Sequence, residues 1–259
     1  ADAMYQVLTE QFGNPSSQYP LGREAKALVE DGRAVVAGAL GCRPENLHFT
    51  SCGTESDNWA IRAACWQNRH VGRHIVTTAV EHSAVLEPCK LLQQQGYEVT
   101  YLAPDKIGHV TAEQVAQALR EDTVLVSMML VNNELGSIYP IADIAKGLKA
   151  VNEKTLLHTD AVQGFLKVPF SAKALGADFI AISGHKVGAP KASALFISAP
   201  GCGIPGPCCP AAVRKWACAP ARRPPPRSRV SPKRWSCVGT IWRTNCITWQ
   251  RSRPTPWKS

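Results

Sequence analysis

The sequence predicts an α/β fold: a mostly parallel sheet of the seven-stranded type flanked by helices, with an irregular segment at the C-terminal end. Three observations predict it. Short β-branched, apolar runs alternate with longer helical patterns through residues 1–200, seven such runs occur, and polar residues of chemical interest follow five of them.

In chain order, a helical pattern over 22–40 leads to a strand at 47–50, which is followed by Ser51-Cys52-Gly53-Thr54. A helix over 55–66 leads to a strand at 74–78, followed by Glu81-His82. A helix at 84–95 then precedes a strand at 98–102, and a helix at 112–119 precedes the apolar run 123–130, followed by Asn132-Asn133-Glu134. A helix over 141–150 leads to the strand 155–159 and Asp160; the strand 178–183 is followed by His185-Lys186; the strand 194–198 closes the alternation. Strands joined through helices pair in parallel, and open sheets of this kind bind ligands outside the carboxyl ends of their strands. The five polar segments are therefore expected to converge.

A chain of 259 residues with an apolar share of 45% is ample for a buried core. No run of about 18 or more uncharged apolar residues occurs. The N-terminal Ala1-Asp2-Ala3-Met4-Tyr5 is not a basic start followed by an apolar stretch. Neither a membrane span nor a secretory signal is expected, and the sequence reads as a soluble cytoplasmic enzyme. The net charge of +9 is unevenly placed, because 12 of the 29 Lys and Arg and none of the 20 Asp and Glu lie in residues 201–259. Residues 1–200 are an ordinary, mildly acidic domain. Cysteine divides the same way. Cys42, Cys52, Cys65 and Cys89 are scattered without metal-ligand spacing and are expected as reduced thiols, while Cys202, Cys208, Cys209, Cys218, Cys237 and Cys246 fall in the tail.

Taken singly, the candidate residues are ambiguous. Lys186, after an apolar strand and beside Gly184 and His185, could form an imine with an aldehyde cofactor, or could be an ordinary surface lysine. Asp160 could pair with a protonated pyridine nitrogen, or cap a helix. Gly53-Thr54-Glu55-Ser56 could offer backbone N–H groups, a hydroxyl and a positive helix end to a phosphate, or serve only as a cap. His82 could stack on a planar ring or shuttle a proton, or be structural.

The set is far more specific than its members. Phe12-Gly13-Asn14-Pro15-Ser16-Ser17, the run from Phe49 through Ser51-Cys52-Gly53-Thr54-Glu55 to Asn58, Glu81-His82, Val131-Asn132-Asn133-Glu134-Leu135-Gly136, His158-Thr159-Asp160-Ala161-Val162-Gln163 and Ser183-Gly184-His185-Lys186 follow one another in this order. Together they resemble the cysteine desulfurase and selenocysteine lyase family, within the class V aminotransferase-like, fold-type I enzymes that use pyridoxal 5'-phosphate (PLP). The resemblance covers essentially all of residues 1–200. It implies that Lys186 is the Schiff-base lysine, that Asp160 partners the pyridine nitrogen, and that Gln163 and Asn133 lie near the ring's phenolic oxygen and the substrate. It implies further that His82 stacks on the ring and assists proton transfer, and that Gly53, Thr54, Ser183 and His185 hold the phosphate. The chemistry implied moves sulfur from L-cysteine (or selenium from L-selenocysteine), as an enzyme persulfide, to acceptors such as iron–sulfur assembly scaffolds, leaving alanine, in a homodimer.

Three departures qualify the resemblance. The chain begins inside an expected first helix, so the family's opening strand is missing from it. The family's Gly-Pro-Lys-Gly turn is replaced by Gly188-Ala189-Pro190-Lys191-Ala192-Ser193, and nothing from Gly201 onward resembles the family's small domain, with its substrate-carboxylate arginine and persulfide cysteine loop. Read one base out of register, Pro210 to Arg223 can become Pro-Gly-Gly-Gly-Gln-Glu-Met-Gly-Leu-Arg-Ala-Gly-Thr-Glu, the family's next motif, and Trp216-Ala217 must yield glycine. The reading is thus a PLP-binding domain over 1–200 and a basic, disordered frameshift tail over 201–259. Sulfur transfer is expected to be impaired. The alternatives are a selenocysteine lyase or other class V PLP enzyme and, outside enzymes, a nucleic-acid-binding protein acting through the basic tail, though neither metal nor nucleic acid is expected there.

Overall fold

A computed structural model describes residues 2–190 and 192–202. Seven strands, β1 (Leu47–Thr50), β2 (His74–Thr78), β3 (Glu98–Leu102), β4 (Thr123–Ser127), β5 (Leu156–Asp160), β6 (Phe179–Ser183) and β7 (Ala194–Ser198), form one sheet in the order β1-β7-β6-β5-β4-β2-β3. β7 pairs antiparallel with both β1 and β6, and every other pairing is parallel. Six strands therefore run one way, and their carboxyl ends share one edge.

Seven helices accompany them: α1 (Asp2–Glu10), α2 (Pro20–Leu40), α3 (Gly53–Gln67), α4 (Ser83–Gln94), α5 (Ala112–Ala118), α6 (Ile141–Val151) and the short α7 (Ala172–Leu175). Local chemistry sets their ends. α2 starts with proline in its first turn and stops at Gly41, whose left-handed φ of 69° no β-branched residue would tolerate. α5 starts with a capping box, in which the Thr111 hydroxyl accepts from Gln114 N and the Gln114 side chain accepts from Thr111 N.

The sheet is covered on both faces, which is why β2, β4, β5, β6 and β7 are buried along their whole length. Alternation along each strand divides the core in two. Ile75, Leu125, Leu156, Phe179 and Phe196 pack with α3 and α4, whereas Val76, Val126, Leu157, Ile180 and Leu195 pack with α2, α5 and α6. On the first face Phe196 stacks between Trp59 and Phe179, with ring centroids 4.9 and 5.5 Å away. Truncating so buried an aromatic costs about 3–5 kcal/mol. Residues 156, 158 and 160 share that face, so His158 and Asp160 point toward α3.

The expected strands at 47–50, 74–78, 98–102 and 194–198 have these bounds in the structure, and those at 155–159 and 178–183 shift by one residue. The run 123–130 is corrected: regular pairing stops at Ser127. Beyond it Met128 N and Leu130 N still donate to the carbonyls of His158 and Asp160, but Met129 N donates to the Glu81 carboxylate at 2.9 Å. A side chain takes the place of the neighbouring strand. Among the described residues, no helix is long and apolar enough to cross a membrane. The expectations for Lys191 and for residues 203–259, including the frameshift tail, fall outside the described residues.

Candidate active site

The first turn of α3 opens directly after β1. Its N-cap, Cys52, is extended and gives no side-chain cap, so the leading N–H groups of the helix are left for another partner. Gly53 is buried because this end of α3 abuts the sheet. A Cβ there would lie 3.0 Å from Val162 Cγ2 and 3.5 Å from Ser183 Cβ. The helix N-terminus thus meets the ends of β5 and β6, where Asp160 and Ser183 stand. Thr54 is exposed beside it. Ser183 Oγ lies 2.7 Å from His185 Nδ1, and burial together with the neighbouring Lys186 lowers the pKa of that imidazole. Hydroxyl, neutral imidazole and free N–H groups form an anion-binding set.

Asp160 is the last residue of β5 and is 8% exposed. One oxygen accepts from Val162 N at 2.9 Å. Burial, reinforced by the charge of Asp57, pushes its carboxyl up to about 7. A cationic nitrogen placed against it would reverse that cost and favour the ionised form. Lys186 is exposed in the single turn Gly184–Val187 that follows β6, at the same edge.

His82 caps α4, its Nδ1 accepting from Ala84 N at 3.1 Å. The ring is exposed, and its other nitrogen, Nε2, carries the proton in the neutral form. Asn133 is exposed in the loop after β4 and Gln163 is half-buried after β5, with its Oε1 accepting from Lys167 Nζ at 2.8 Å. All nine residues singled out in the sequence lie at the carboxyl edge of the sheet, at strand ends, helix starts or the loops between them.

Three supporting residues lacked an assigned role in the sequence. Buried Asn132, next to Asn133, shapes the loop: its Oδ1 accepts from the N–H groups of Glu134 and Leu135, and its Nδ2 donates to Val80 O. Glu81 ties β2 to β4 through Thr78 and Met129. Asp57, inside α3, is 1% exposed. Adjacency to a candidate residue was the available signal for Asn132 and Glu81, and an acidic residue one turn into a buried helix was the signal for Asp57. Among the described residues no group of three or more His, Cys, Asp or Glu is placed to hold a metal ion.

The sequence model of the family "Aminotransferase class-V" matches residues 1–198. The chain is similar to a cysteine desulfurase IscS of Methanosarcina thermophila, 46% identical over 197 residues that make up 76% of this chain and 48% of that protein. Among solved structures it is similar to a NifS-like protein, with a TM-score of 0.84 and 32% identity, over 96% of this chain and 66% of that one. It is also similar to SspA in complex with cysteine, with a TM-score of 0.72 and 33% identity, over 76% of this chain and 56% of that one. The chain spans about half the length of the IscS relatives that it matches.

Proposed function

The chain belongs to the aminotransferase class-V family, and from that premise we propose that it is the cofactor-binding part of a PLP-dependent cysteine desulfurase. The observation that carries the reading is the buried Asp160 carboxylate beside an uncapped helix N-terminus, with Lys186 at the same sheet edge. These groups fit the cofactor. The N–H groups of Gly53 and Thr54, with Ser183 and His185, would hold its phosphate; Asp160 would accept from its ring nitrogen; Lys186 Nζ would be the amine that attaches it; Asn133 and Gln163 would serve its phenolic oxygen and the substrate. When bound, PLP supplies an amine-reactive aldehyde and an electron-withdrawing ring. His82, whose Nδ1 is taken up by Ala84 N, would offer Nε2 to a proton moving to or from the substrate.

The substrate in this reading is L-cysteine, supported by the IscS relatives and by the cysteine complex of SspA. Its sulfur passes through a persulfide to an acceptor protein, and the whole enzyme is a cytoplasmic homodimer. The sequence from Gly201 onward supports a frameshifted tail, which sequencing of the encoding DNA around codons 187–210 tests directly.

The cofactor reading is tested by adding PLP to the purified chain and following the visible absorbance of lysine-bound cofactor, with borohydride reduction and peptide mapping. Attachment at Lys186, lost in Lys186→Ala, is the expected result. An unchanged spectrum in that variant removes Lys186 from the role.

A further inference from the structure

Three consecutive side chains fasten the first turns of α3 in three directions. Ser56 Oγ lies 2.7 Å from Thr50 Oγ1 on β1 and donates to Leu195 O on β7 at 3.1 Å. Asn58 Nδ2 reaches Ala84 O at the start of α4, 3.4 Å away. Between them Asp57 faces β5, where its Oδ1 lies 3.4 Å from Nε2 of His158, whose Nδ1 lies 2.9 Å from Ser127 Oγ on β4.

The Asp57–His158 contact differs from its neighbours in kind. Both residues are fully buried, at 1% and 0% exposure, and the two facing atoms have no hydrogen-bond partner elsewhere. Their separation is that of an ion pair, with an angle too poor for a good hydrogen bond. Burial raises the carboxyl and lowers the imidazole, so each side chain carries a desolvation cost that an apolar residue would not. An apolar pair would pack α3 on β5 at lower desolvation cost. What a polar pair adds is a fixed register between helix and strand.

That register has a consequence at the site. Asp57 lies one turn after Gly53 and Thr54, and His158 lies two residues before Asp160 on the same face of β5. We propose that Asp57, acting through His158, is a positioning residue that fixes the phosphate-binding turn of α3 relative to the Asp160 carboxylate, so that both ends of one cofactor are engaged at once. The inference rests on the cofactor assignment proposed above. Two contacts joined by a rigid ligand reinforce one another only while their spacing matches the ligand.

The spacing is tested by comparing affinities of the full 259-residue chain for PLP and for pyridoxal, which lacks the phosphate. Both aldehydes react with the same lysine, so attachment cancels in the ratio. The variants are Asp57→Leu, Asp57→Asn and, from the strand side, His158→Leu, each with its thermal melt. The expected result is that Asp57→Leu and His158→Leu lower the PLP-to-pyridoxal affinity ratio by about tenfold. Asp57→Asn, which keeps size and polarity, restores most of the ratio. A general loss of stability would lower both affinities together. Equal losses for the two aldehydes, or an unchanged ratio in folded variants, overturn the inference and leave the cofactor assignment standing. A wild-type chain that binds neither aldehyde overturns both.

Discussion

Nδ1 of His82 accepts the backbone N–H of Ala84 at 3.1 Å, so one imidazole caps α4 and stands at the candidate site. The two roles separate by substitution. Asn caps helices well, whereas Ala leaves the N–H without its side-chain acceptor and costs about 1 kcal/mol. His82→Ala should therefore lose both stability and cofactor-dependent chemistry, and His82→Asn should recover the melting temperature alone. If His82→Asn also restores the response of bound cofactor to L-cysteine, His82 is only a cap.

Three carboxyls are buried at or beneath the site: Asp57 and Glu81, each raised to about 8, and Asp160, raised to about 7, in every case first by burial. Their unfolded values lie at 3.8 to 4.5, so above pH 6.5 the folded chain holds protons that the unfolded chain has released. Fewer protons on the unfolded state means that stability falls as pH rises. His48 and His158, lowered to about 4, act in the opposite sense, but only between their folded values and 6.5. Stability of the cofactor-free protein should thus decline from pH 6.5 to 8, by up to about 1.4 kcal/mol per pH unit for each carboxyl still protonated. Urea midpoints across this range check the slope, and Asp57→Asn should make it shallower. A slope that rises with pH would contradict the burial argument.

Thiol reactivity should be confined in the same way. Burial pushes Cys65 and Cys89 up to about 12 and Cys42 and Cys202 up to about 11, whereas Cys52 is exposed at the start of α3. The thiolate is the nucleophile, so Cys65 and Cys89 should alkylate at least about a hundredfold more slowly than free cysteine, with Cys52 the first labelled among the described residues. The same four thiols are poor sulfur acceptors. Incubated with PLP and L-cysteine, the chain should carry no persulfide on Cys42, Cys65, Cys89 or Cys202 by mass spectrometry, and should release sulfide no faster than free PLP.

How much of this was legible in the sequence depends on how local the cause is. β2, β3 and β7 are short apolar runs with clear breaks, and their bounds follow from composition alone. The end of β4 does not, because Met129 loses its regular pairing to the Glu81 side chain, 48 residues away. α3 begins at Gly53, earlier than its periodicity suggests, since Cys52 gives no capping signal. The placement of Asp160, Lys186 and His82 at strand ends was legible because the strand breaks are clear, and it made them candidates because ligands bind at strand ends in parallel sheets. The contact between Asp57 and His158 was not, because it depends on the depth to which α3 settles over β5, which no local pattern encodes.

Ala192 adopts φ 63°, the left-handed region, in the turn between β6 and β7. The turn replaces a sequence that ends in glycine in the family the chain resembles, and glycine alone enters this region without a Cβ clash. An alanine there costs about 1–2 kcal/mol of local strain. Glycine also gives the unfolded chain more freedom, which offsets part of the gain. Ala192→Gly should therefore raise stability by about 0.5–1 kcal/mol, read as a higher urea midpoint at unchanged slope. The turn starts at Gly184, whose N–H donates to Ser193 O at 2.8 Å, and the segment between them carries His185 and Lys186. Relaxing one end should sharpen the placement of Lys186 and tighten PLP binding. A destabilised Ala192→Gly protein would show that the left-handed residue is not strained and that the turn has adapted to alanine.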